Sequence, residues 1–148
     1  MHSFHYHEKY ARKVGIELGK LDIPYITVIE SPKKRAYQRL TEQYDAKWIV
    51  DLHNDRYPYD PNIRHLIAML YLSSTHRSKR DEERKQVFRK WIKKSYSPNK
   101  MGVYPVSIVN KTLLDKSANY VGIELYPHNS IRESIEFIKK FSNLLFLF

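Results

Sequence analysis

The stretch "KWIVDLHND", Lys47 to Asp55, decides how this chain is read. An apolar, β-branched run from Trp48 to Leu52 reads as a buried strand, yet it ends abruptly in Asp-x-His-Asn-Asp. Burying those polar side chains unpaired costs free energy, so water or a partner must meet them. In an α/β protein the end of a strand is where ligand-binding residues collect.

Working outward, the period of the apolar residues switches repeatedly between helix and strand, the mark of an α/β protein. Towards the N-terminus, Tyr10, Ala11, Val14 and Leu18 recur at helical spacing between Glu8 and Leu18, and Gly19 is placed to close that helix in a left-handed cap. "YITVIE", Tyr25 to Glu30, is bounded by prolines and reads as a strand. Ser31 as N-cap and Pro32 at the first helical position then open a helix with the stripe Ala36, Tyr37, Leu40 and Tyr44.

Beyond the quoted strand, "DRYPYDPN" reads as loop. The apolar run Leu66 to Leu72 is read as a strand, although a buried helix has the same pattern. From Ser78 a charged segment, "SKRDEERKQVFRKWIKKSY", sets Val87, Phe88, Trp91 and Ile92 on one helical face. Tyr104 to Asn110 and Asn119 to Pro127 are two further strands. A closing helix starts at a capping box of Ser130 and Glu133 and buries Ile131, Ile135, Ile138, Phe141 and Leu145. The expected fold is one domain over residues 1–148, a three-layer α/β/α arrangement around a mostly parallel sheet.

Composition bounds the function. With 148 residues, 42% of them hydrophobic, the chain can bury a core. The absence of cysteine excludes disulfides, thiolate metal sites and a cysteine nucleophile. No apolar run approaches the roughly 18 residues of a membrane span and no hydrophobic signal region precedes the first helix, so a soluble, cytoplasmic protein without a membrane partner is expected. A net charge of +10 invites a nucleic-acid partner, an anionic substrate or an acidic protein, without choosing among them.

Two further stretches share chemistry with the quoted one. Glu124 interrupts the apolar run "VGIELYP", and "MHSFHYHEKY" carries His5 and Glu8 at the i, i+3 spacing that lets an imidazole and a carboxylate share a metal. With His53 they make a His2Glu set, which leaves a fourth position open as catalytic zinc sites do. His7 is an alternative to His5. Asp51 is placed to orient an imidazole from outside the ligand set. Arg56, and less directly Arg64 and Arg77, are candidates to clamp a substrate carboxylate, with Asn54 beside them.

"DLHN" (Asp51 to Asn54), "VGIELYP" (Val121 to Pro127) and the His-x-x-Glu that precedes both resemble the aspartoacylase and succinylglutamate desuccinylase family, zinc hydrolases related to carboxypeptidases. The chain is similar to a minimal or truncated member. The family pattern has a strand and a glycine-rich turn before its His-x-x-Glu, whereas none is read here before His5. The resemblance implies a phosphorylase/hydrolase-like fold, one zinc held by His5, Glu8 and His53, and Glu124 as the catalytic carboxylate. The implied reaction is hydrolysis of an amide bond in a small acylated amino acid or peptide-like substrate.

Two other readings stand beside it. "SPKKRAYQR", Ser31 to Arg39, and the basic helix with Trp91 suit a nucleic-acid-binding or nucleic-acid-processing protein. A non-catalytic module that keeps the hydrolase fold is the other. The apolar end, "NLLFLF", suits either core or an oligomer interface.

Overall fold

Residue 1 onward, the chain pairs at once: a short strand β1 (His2–Phe4) lies between two parallel neighbours. The computed structural model describes residues 1–31, 37–54, 68–73, 83, 86–88, 90, 91, 94 and 119–147. After β1 come α1 (Lys9–Lys20), β2 (Val28–Glu30), α2 (Tyr37–Gln43), β3 (Trp48–Asn54), β4 (Ala68–Ser73), β5 (Asn119–Leu125) and α3 (Ile131–Leu145). Helical residues also occur within 83–94.

The sheet order is β2-β1-β3-β5-β4. β2, β1, β3 and β5 run parallel, and β4 is an antiparallel edge strand on β5. This is the α/β fold with a mostly parallel sheet that the switching periods predict. From β1 the chain steps one way to β2 and then returns past β1 to β3. Right-handed crossovers in opposite directions place their helices on opposite faces.

The packing agrees. On one face Ala11, Val14 and Leu18 of α1, Ile135, Phe137, Ile138 and Phe141 of α3, and Phe88 cover Phe4, Val50, Leu52, Val121, Ile123 and Leu125. On the other, Leu40 of α2 packs with Met1, Ile29 and Ile49. The closing helix has the expected capping box, with Ser130 Oγ accepting from the Glu133 backbone N–H and the Glu133 side chain accepting from that of Ser130.

Several boundaries depart from the sequence reading. Gly19 is not the left-handed cap: α1 continues to Lys20, Leu21 caps it in right-handed geometry, and Asp22 takes the positive φ of 49°. Gly19 stays within the helix beside Val28, and aspartate tolerates the left-handed region. Residues 25–27 lie outside β2, since Ile26 N–H closes a turn on Ile23 O. β3 does not stop at Leu52 but pairs with β5 as far as Asn54↔Leu125. Tyr44 and Val87, expected on buried stripes, are exposed, Tyr44 because α2 ends at Gln43 and Asp45 turns at φ 46°. The expected strand at 104–110, the cap at Ser31-Pro32, Ala36 and Ile92 lie wholly or partly outside the described residues.

Candidate functional site

The period of a strand is two, so once β3 runs on to Asn54, Asp51 and His53 face the same side of the sheet, the side of Ile49. β1 pairs Ser3 with Asp51, and β5 pairs Gly122 with Asp51 and Glu124 with His53. Alternation therefore sets Ser3, Asp51, His53 and Glu124 on one face, with His5 and Glu8 on the turn that leaves β1. The place is the carboxyl end of β1 and β3, where the connections from β1 and β2 diverge. Open α/β sheets bind ligands at such a switch point.

The side chains meet there. Asp51 Oδ2 accepts from His53 Nε2 at 3.0 Å and Asp51 Oδ1 accepts from Ser3 Oγ at 2.7 Å. His5 Nε2 lies 3.4 Å from the same Oδ1. It is buried and makes no hydrogen bond among the described residues. Glu8 Oε2 sits 3.1 Å from His53 Nδ1. The His5 and His53 rings stack at 4.5 Å between centroids. His53 is thus met by a carboxylate at each nitrogen.

The electrostatics follow from that arrangement. Burial alone would raise the Asp51 carboxyl, but the imidazoles of His5 and His53, then the Ser3 hydroxyl, hold it well below the usual carboxylate range. Burial pulls His53 down, and the hydrogen bond and charge of Asp51, with the charges of Glu8 and Glu124, outweigh it and raise the imidazole above its ordinary value. Two nitrogen donors and carboxylate oxygens at this spacing suit a divalent cation: His5, Asp51 and His53 offer atoms within 4.8 Å of one another.

The structure thus gathers His5, Asp51 and His53 within metal reach of one another, with Asp51 in the place that the sequence reading gave to Glu8; Glu8 meets the group at His53 Nδ1, and Glu124 is on the adjoining strand. His7 is exposed, its ring 5.9 Å from that of His5. The amide oxygen of Asn54 accepts from the Ala11 backbone N–H at 2.7 Å. It caps α1 from another element, while the N-cap residue Glu8, turned to His53, makes no capping bond with its own side chain. Arg56, Arg64 and Arg77 lie outside the described residues, as do residues 32–36 of the basic stretch. Sequence reasoning missed Ser3, because a single serine in a three-residue strand carries no pattern.

Comparison with family models, curated proteins and solved structures finds no match. Among the described residues no helix is long and apolar enough to cross a membrane.

Proposed function

We propose that the chain is a metal-dependent hydrolase of an amide bond in a small acylated amino acid or peptide-like substrate, with zinc as the metal. The observation that carries this reading is His53 held between two carboxylates. With its Nε2–H given to buried Asp51, its Nδ1 lone pair would face a Glu8 oxygen at 3.1 Å. Two such acceptors need a cation or a proton between them.

Glu8 and His53, with His5 stacked beside them, are hard-to-borderline ligands of the kind zinc takes, while the atoms that lie within 4.8 Å of one another are those of His5, Asp51 and His53. Asp51 is 2% exposed with both oxygens engaged, so it serves to fix the imidazoles. The side chains of His5 and His53 are 28% and 23% exposed, which leaves an approach from the strand ends. The pattern of "DLHN" and "VGIELYP" supports the same assignment.

When bound, zinc would supply Lewis acidity and a water of lowered pKa. The protein's share is the rest. Asp51 holds the His53 tautomer, Glu8 and His5 complete the cradle, and the Glu124 carboxylate takes a proton from the attacking water and passes it to the leaving amine. Gly122, in register with Asp51 on this face, adds no side chain beside them.

Plasma mass spectrometry of the purified protein beside His53→Ala tests the reading. About one zinc per chain in the parent and none in the variant is expected, followed by turnover of N-acyl amino acids. No metal, and no uptake of added zinc by folded protein, would overturn it.

A further inference from the structure

We infer that Ser3 is a positioning residue of this metal centre, acting through Asp51. The inference rests on the reading above and adds a group outside the ligand set. Ser3 is fully buried in the three-residue strand at the middle of the parallel sheet, paired with Ile29 on one side and Asp51 on the other. On its face of the sheet Ser3 lies between the apolar Ile29 of β2 and the buried carboxylate of Asp51 on β3, so its hydroxyl has one polar neighbour across the strand. A buried hydroxyl is tolerated when it is hydrogen-bonded, and this one donates to Asp51 Oδ1 at 2.7 Å.

That bond decides what Asp51 can do. The carboxylate stands between two imidazoles, with His53 Nε2 at 3.0 Å from Oδ2 and His5 Nε2 at 3.4 Å from Oδ1. A carboxylate free to turn about its Cβ–Cγ bond would serve His53 at the expense of His5. The Ser3 hydroxyl pins Oδ1 and fixes the plane, so Oδ2 stays on His53 Nε2 while Oδ1 stays beside His5 Nε2. Since β1 leads directly into His5, the same strand places the hydroxyl and one of the imidazoles it governs.

Cobalt(II) titration of the parent, Ser3→Ala and Ser3→Thr tests this, read by affinity and by the visible ligand-field spectrum, with thermal melts of the metal-free proteins alongside. Ser3→Ala is expected to bind cobalt roughly 10–100-fold more weakly with an altered spectrum, and Ser3→Thr, which keeps the hydroxyl, to restore both. Parent affinity and spectrum in Ser3→Ala, even with a lowered melting temperature, would leave Ser3 a packing residue and overturn the inference. Failure of the parent chain itself to bind cobalt would instead overturn the metal centre, and this role with it.

Discussion

Asp51 and His53 are two residues apart on β3, and Asp51 Oδ2 lies 3.0 Å from His53 Nε2. Such a pair forms only in an extended chain, where i and i+2 share a face; in a helix the two would diverge. The strand therefore does more than deliver a histidine to the sheet's edge. It delivers one already held by a carboxylate at Nε2, with Nδ1 turned towards Glu8.

Different losses are accordingly expected at the two carboxylates. Asp51→Asn keeps the volume but weakens the orienting bond, and zinc affinity should fall roughly 10–100-fold. Glu8→Ala removes a ligand of the proposed set and should leave no measurable zinc. Isothermal titration with zinc separates them. Complete loss of zinc in Asp51→Asn, with Glu8→Ala still binding, would move the ion to the Nε2 side.

Asn54 carries a second consequence of the site's geometry. Because Glu8 is turned to His53, the first turn of α1 takes its cap from Asn54 Oδ1, 2.7 Å from Ala11 N. Asn54→Ala should cost about 1 kcal/mol, the usual worth of a cap, measured by urea denaturation. A variant as stable as the parent would show that the bond contributes nothing.

Much of this was legible in the sequence, for identifiable reasons. The strand β3, the carboxylate of β5 and the capping box of α3 each combine a local pattern with a polar interruption, and polar residues at strand ends are conspicuous. β1 was not legible: three residues are too few to show alternation, and "MHSFHYHEKY" reads first as a histidine-rich start. Without β1 there is no strand between β2 and β3, no switch point and no role for Ser3. The extent of β3 was likewise set by its pairing with β5 and not by its own composition.

Gly15 tests how tightly β1 is held. A Cβ there would lie 2.5 Å from Cδ1 of Phe4 and 3.0 Å from its Cγ. Gly15→Ala gains roughly 1 kcal/mol of helix propensity, but overpacking a buried ring costs about 1–3 kcal/mol. Net destabilisation of about 1 kcal/mol is expected, with weakened zinc binding as β1 shifts. Stabilisation on mutation would mean that Phe4 moves without cost.

His2 should make stability acid-sensitive independently of any metal. It is buried, its Nε2 paired with Ser142 Oγ at 2.8 Å, and burial lowers its pKa from 6.5 to about 3. Between those values the unfolded chain binds a proton that the native protein does not. Stability is therefore intact above about pH 6.5 and is lost as pH falls below it, by up to about 1.4 kcal/mol per pH unit. His2→Gln, which keeps a hydrogen-bonding group, should flatten that slope between pH 6.5 and 4. Parallel pH profiles of parent and variant would rule His2 out as the source.

Glu124 separates chemistry from metal binding. It pairs in register with His53 on the neighbouring strand, half-buried, and its charge acts on that imidazole. An amide in its place keeps the shape and removes the proposed base. Glu124→Gln should retain zinc to within a few-fold, whereas amide turnover should fall by roughly 10²–10⁴ in kcat, the range for losing a general acid–base group. Because proton transfer matters in the transition state and not in binding, KM should change little. If Glu124→Gln instead lost zinc and kept the specific activity of each loaded molecule, the carboxylate would be a ligand, and the proton would have to leave by another group.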